Sequence, residues 1–104
     1  MSQENKDYEL TVNDSMSNDY QLLINVDVYY EYRRAEPEVG VMFTYNELEK
    51  CLINTIYINK VNGNDTIFKN IPFRLEQFKN KDFLKDFENK LIIAMKEDIN
   101  DGLQ

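Results

Sequence analysis

Between residues 19 and 34 the chain reads DYQLLINVDVYYEYRR. Its even positions, Tyr20, Leu22, Ile24, Val26, Val28, Tyr30 and Tyr32, are all apolar or aromatic. The odd positions, Gln21, Leu23, Asn25, Asp27, Tyr29, Glu31 and Arg33, are mostly polar. Successive side chains on a strand point to opposite faces, so this period of two predicts a strand with one dry face and one wet face. On a helix the same residues would point all round the axis. At about 3.4 Å per residue the run would reach about 54 Å, longer than most strands, so a bend, a bulge or a projecting end is expected.

The flanking patterns extend this reading. Met1–Lys6 is polar and is expected to be disordered. Tyr8, Leu10 and Val12 alternate with polar residues and predict a short strand, and the Asp14–Asn18 cluster predicts the turn that returns it antiparallel to the long one. Pro37 cannot donate to a ladder and pushes Glu36 towards an extended conformation, so a turn is expected over Ala35–Glu38. Val39, Val41, Phe43 and Tyr45 then read as one face of a further strand. Asn46–Leu52 fits either a short helix or a loop. Ile53–Val61 returns to β composition, with Ile56 and Ile58 on one face and Ile53, Thr55, Tyr57 and Val61 on the other. Asn62-Gly63 predicts a tight hairpin, because both residues tolerate positive φ, with Asn64–Phe68 as the return strand.

From Asn80 the period changes. Phe83, Leu84, Phe87, Leu91, Ala94 and Met95 recur at spacings of three and four, the signature of an amphipathic helix. Asn80 or Asp82 can cap it, Asp86 and Lys90 are spaced to pair, and Leu75 and Phe78 fit a preceding helical turn. The expected fold is a single α+β domain over residues 1–104. An antiparallel sheet of three to five strands carries the C-terminal helix packed on its dry face.

Charge narrows the partners. The net charge is −7. Residues 1–52 hold eleven acids and four bases, and residues 53–104 hold eight of each, so the imbalance lies wholly in the first half. Direct nucleic-acid binding is not expected, since phosphate recognition draws on a basic surface. The opening MSQENKDYEL has neither a basic n-region nor an apolar h-region, and no apolar run approaches a membrane span. The chain therefore reads as cytoplasmic, with no membrane partner.

Candidate chemistry is sparse. There is no histidine and one cysteine, Cys51, which excludes an internal disulfide and a Cys–His nucleophile pair. Asp27 and Glu31 share a strand face about 13 Å apart, too far to share a proton. Asn62-Gly63-Asn64-Asp65 lacks the order and the closing glutamate of a calcium loop. No Gly-rich phosphate loop is present. No catalytic residue, metal site or cofactor is assigned, and the chain reads as a non-enzyme.

The unusual feature is a cluster of aromatic and charged residues about Pro37. Tyr29, Tyr30, Glu31, Tyr32, Arg33, Arg34, Glu36, Glu38, Phe43 and Tyr45 form the candidate partner-binding set, because tyrosine and arginine are common interface anchors. Pairing of 28–34 with 39–45 as a hairpin would put tyrosines on both faces, one for the core and one for a partner. An exposed strand edge here would also allow a homodimer.

The order of parts resembles a group of small acidic proteins encoded by phages and prophages. An alternating strand (INVDVYYEYRR), an acidic proline turn (AEPEVG), a strand pair closed by an Asn-Gly turn (LINTIYINKVNGND) and a charged C-terminal helix (DFLKDFENKLIIAMKED) carry the resemblance over about residues 20–98. It implies an accessory protein of the host cytoplasm that binds and inhibits a host protein. Two alternatives stay open. One is an acidic nucleic-acid mimic for a basic host or defence enzyme, with Asp19, Asp27, Glu31, Glu36, Glu38, Glu47 and Glu49 imitating phosphates. The other is an assembly component self-associating through the long strand.

Overall fold

A computed structural model describes residues 1–14, 18–65, 71–72 and 80–101. The alternating stretch is the middle of the sheet. Strand β2 (Asp19–Arg33) pairs antiparallel with β1 (Ser2–Asn13) on one side and with β3 (Tyr45–Val61) on the other. Two-residue strands β4 (Asn64–Asp65) and β5 (Ile71–Pro72) add to β3. Helix α1 (Lys81–Ile99) covers the dry face, giving the expected α+β fold. The core joins Leu10 and Val12 of β1, Leu22, Ile24, Val26 and Val28 of β2, Ile56 of β3, and Phe83, Phe87, Leu91, Met95 and Ile99 of α1.

Strand β3 explains how so long a ladder stays on one helix. Between Tyr45 and Val61, Glu49, Asn54 and Asn59 have no partner on β2, and the register shifts at each. These are β-bulges, and each adds local bend and right-handed twist. They recur every five residues. As a result the positions opposite the dry row of β2 are Asn46, Leu48, Cys51, Ile53, Ile56, Ile58 and Val61, spaced alternately two and three. Ile53, Ile56, Ile58 and Val61 thus share a face. A strict period of two divides them between faces and reads Asn46–Leu52 as helix or loop; those residues are β3. All three unpaired residues are polar, which suits positions that leave the ladder.

The helix follows the coil. Its buried residues fall at every fourth position, Phe83, Phe87, Leu91, Met95 and Ile99. Four residues turn an α-helix by about 400°, so this stripe drifts about 40° at each step. A flat sheet could not follow that drift, whereas a bulged and twisted one can. A second row, Asp86, Lys90 and Asp98, faces β1. Asp86 accepts from the Asn13 amide at 3.0 Å and pairs with Lys90 at 2.9 Å, and Asp98 accepts from the Tyr8 hydroxyl at 2.8 Å.

Local chemistry closes the ends. Asn80 caps α1, accepting from the Phe83 amide at 3.1 Å. Asn62 and Gly63 both take positive φ, as the hairpin reading requires. Asn64–Asp65 is strand, while residues 66–68 of the expected return strand lie outside the described residues, as do Leu75 and Phe78. Residues 15–17 of the expected β1–β2 turn lie outside them too. Its flanks are tied by buried Asp14, which accepts from the Asn18 amide at 3.1 Å and the Tyr20 hydroxyl at 3.2 Å.

Two expectations are corrected. Ser2–Lys6 is paired strand, opposite Val26–Tyr30, because a backbone ladder needs no apolar side chains. Residues 39–44 are not a strand: Pro37–Val39 is a short 3-10 helix, Glu36 and Val41 form an isolated bridge, and β3 begins at Tyr45. Pro37 is suited to the first helical position, and Gly40 at φ +88° ends the turn in the left-handed region.

Candidate functional site

The far end of the β2–β3 hairpin lies beyond the helix. The last turn of α1 meets β3 at Asn46, opposite Tyr32, through a clasp of asparagines. Asn46 N–H donates to Asn100 Oδ1 at 2.7 Å, Asn46 Nδ2 donates to the Ile99 carbonyl at 2.6 Å, and Asn100 Nδ2 donates to the Asn46 carbonyl at 3.1 Å. Beyond that level, residues 33–45 project without helix beneath them.

The projecting loop is held by its own backbone. Glu36 and Val41 exchange hydrogen bonds at 2.8 and 3.1 Å, the Val39 amide donates to Glu36 O at 3.1 Å, and the Gly40 amide donates to Pro37 O at 3.2 Å. The Ala35 amide donates to Thr44 Oγ1 at 3.3 Å. This loop presents Val39, Met42 and Phe43 with 70%, 65% and 79% of their surfaces in solvent. With the terminal Met1 they are the most exposed large apolar residues among those described. Burying such side chains is worth about 1.5–3 kcal/mol each, so an ordered loop that leaves three of them outside keeps apolar surface available.

The ten candidate residues separate into distinct settings. Tyr32, Arg33, Arg34, Glu36 and Tyr45, with Val41, line an open depression of about 410 Å³ at the hairpin end. Arg34 makes no ion pair among the described residues. Glu38 is exposed in the 3-10 turn, and Phe43 is exposed in the projecting loop outside the depression's lining. Tyr29 lies on the wet face beneath Lys50, whose Nζ is 4.7 Å from the ring centroid. Tyr30 faces the helix side and donates to Glu4 Oε1 at 2.9 Å; that bond, with burial, raises its pKa. Tyr29 and Tyr30 are therefore scaffold rather than tip.

Charge is organised about Arg33. Its guanidinium reaches Glu47 at 2.6 Å, Glu31 at 3.3 Å and Glu49 at 3.6 Å, the last from a bulge position. The wet face further along carries an amide and carboxylate ladder: Asn5 Nδ2 donates to Asp27 at 2.8 Å, Asn25 Nδ2 to Asp7 at 2.7 Å, and Asn54 Nδ2 to Asn25 at 2.9 Å. Cys51 is half-buried, and burial pushes its thiol up, which suits packing and opposes a reactive thiolate. Among the described residues no group of three acidic, cysteine or histidine side chains is placed to hold a metal ion, and no helix is long and apolar enough to cross a membrane.

Val39 and Met42 fall outside the set that aromatic and charged content singles out. Their signal is present in the sequence: four of the five residues directly after the Ala35–Glu38 turn, Val39, Val41, Met42 and Phe43, are apolar, where chain reversal favours polar ones. No family model, no curated protein and no solved structure matches the chain.

Proposed function

We propose that this protein is a non-enzymatic interaction module that docks a protein partner through its hairpin tip. The carrying observation is the trio Val39, Met42 and Phe43, exposed on a loop that its own hydrogen bonds hold in place. A preformed loop loses little conformational freedom on binding, which favours affinity. Tyr32, Tyr45 and Arg34 beside the trio supply the aromatic and cationic anchors common at interfaces. The partner surface that fits is an apolar pocket with an acidic group placed for Arg34. Resemblance to small phage-encoded proteins supports a host protein as partner and inhibition as the consequence.

The mimic reading is weaker. Glu31, Glu47 and Glu49, three of its seven phosphate-like carboxylates, are gathered on Arg33. Self-association through the long strand is weaker too, because β1 and β3 occupy both edges of β2. A photo-crosslinking residue in place of Phe43 is expected to trap a partner in host lysate. Met42→Ala is expected to abolish the product while circular dichroism stays unchanged. The same group in place of exposed Lys85 on the helix should trap nothing. Equal trapping from both positions, or trapping indifferent to Met42→Ala, refutes the tip reading. Loss of the complex with rising salt alone would favour the mimic.

A further inference from the structure

Strand β1 is made of two unlike halves. In Tyr8–Asn13 the residues facing the core are Tyr8, Leu10 and Val12, which meet Ile24, Leu22 and Tyr20 across the ladder. In Ser2–Asp7 the same face carries Ser2, Glu4 and Lys6, which lie opposite Tyr30, Val28 and Val26. Val26 and Val28 are fully buried, yet their neighbours on β1 are charged. The polar half is held by its ladder and by exposed polar contacts. Tyr30 donates to Glu4 at 2.9 Å, Lys6 meets Glu4 at 3.2 Å and Asp98 at 3.6 Å, and Asn5 donates to Asn25 at 3.0 Å and to Asp27 at 2.8 Å. Exposed ion pairs contribute little, and a segment that buries no apolar side chain opens locally at lower cost than one that does.

We infer that Ser2–Asp7 is a displaceable strand, and that its departure opens on β2 a binding site for an extended segment of a partner protein. The occupant is defined by what the site leaves unsatisfied. It would pair antiparallel with Asn25–Tyr30, place apolar side chains at alternate positions over Val26 and Val28, and carry an amide or cation between them to replace Asn5 on Asp27. This is strand addition, in which the ladder supplies affinity and alternate side chains supply selectivity. The site is independent of the hairpin tip and stands or falls separately from it.

Hydrogen exchange on the full chain tests the first half of the inference. The Ser2–Asp7 amides that point into the ladder should exchange roughly a hundredfold faster than their counterparts in Tyr8–Asn13, as local opening without global unfolding requires. A fluorescent peptide of the Ser2–Asp7 sequence carrying Glu4→Val and Lys6→Val tests the second. It should bind the chain roughly tenfold or more tightly than the unmodified peptide, since each buried valine is worth about a decade of affinity. The same two substitutions within the full chain should suppress capture, because the resident strand then competes successfully. Exchange of Ser2–Asp7 only on global unfolding, no capture of the valine peptide, or capture that leaves Ser2–Asp7 more protected (pairing on the outer edge of β1) would each overturn the inference.

Discussion

Asn100→Ala should be among the more damaging substitutions outside the hydrophobic core. The Asn100 side chain accepts from the Asn46 amide at 2.7 Å and donates to the Asn46 carbonyl at 3.1 Å and to the Lys96 carbonyl at 2.9 Å. It satisfies a strand and the last turn of the helix together, where α1 would otherwise leave carbonyls without partners. Each bond contributes about 1 kcal/mol net, and partial exposure lets water replace part of the loss, so about 2 kcal/mol is expected for the three. Asn46→Ala removes one side-chain bond, that to the Ile99 carbonyl at 2.6 Å, while the Asn46 backbone still meets Asn100. Its cost should be about 1 kcal/mol.

Urea unfolding followed by circular dichroism reads the difference. With a slope of about 1–3 kcal/mol per molar for a small domain, Asn100→Ala should lower the midpoint by about 1 M and Asn46→Ala by about half as much. Asn100→Asp keeps the acceptor, loses both donor bonds and puts a negative charge at the negative end of the helix dipole, so it should be no better than alanine. Equal costs for the two alanine variants, or a harmless Asn100→Asp, would show that the clasp is not what ties helix to hairpin. The clasp also sets the base of the projecting tip. Asn100→Ala should therefore reduce crosslinking from position 43 even under conditions where the protein stays folded.

Phe87→Ala opens a cavity between helix and sheet and should cost about 3–5 kcal/mol, a large share of the 5–15 kcal/mol typical of a domain, read as a lowered urea midpoint at unchanged slope. Arg33→Ala leaves Glu31, Glu47 and Glu49 mutually repelling; thermal unfolding should show a small loss of stability at low salt that shrinks as salt rises, and a salt-independent loss would contradict the cluster. Burial pushes the Asp86 carboxyl up, but the Asn13 amide and the Lys90 ammonium outweigh it and hold the group below its ordinary 3.8. A depressed carboxyl stabilises the fold above its unfolded value and loses that contribution as pH falls through the folded one. Asp86→Asn should thus flatten the fall in stability below about pH 4, by under about 1 kcal/mol for so exposed a group; an unchanged acid limb would remove Asp86 from the account.

Legibility in the sequence tracks how far a local rule governs each element. Strand β2 obeys a period of two throughout because it lies in the middle, with a ladder on each side and the helix on one face, so nothing interrupts its alternation. The helix is readable from Phe83 to Met95 because one local period governs it, and Ile99 continues the same step of four one turn further on. Strand β3 misleads where Glu49, Asn54 and Asn59 bulge. Its apolar positions follow a period averaging two and a half, which matches neither strand nor helix when read locally, and which arises from register with β2, a non-local property. The tip misleads in the opposite sense. Val39, Val41, Phe43 and Tyr45 alternate as a strand would, yet no helix reaches beneath them to bury a face, and Pro37 and Gly40 set the backbone instead.

The two failures have one physical origin. Bulges coil β3 so that a helix ending at Asn100 can cover the sheet only as far as Asn46, and the hairpin continues past that point. An apolar run beyond the reach of the helix cannot be core, so its apolarity must be tolerated or used. The backbone bonds at Glu36, Val39, Gly40 and Val41 bear on that choice. A loop kept apolar by chance has no need of a fixed shape, whereas a loop that must present Val39, Met42 and Phe43 together does. Replacing Gly40 by valine separates these alternatives. Nothing lies within 4 Å of an added Cβ, so the whole penalty is the positive φ of 88°. If the tip is functional, Gly40→Val should disorder the loop and abolish crosslinking at position 43, while the urea midpoint, set by the core and the clasp, moves little. Unchanged crosslinking would mean that the fixed shape of the loop serves no partner.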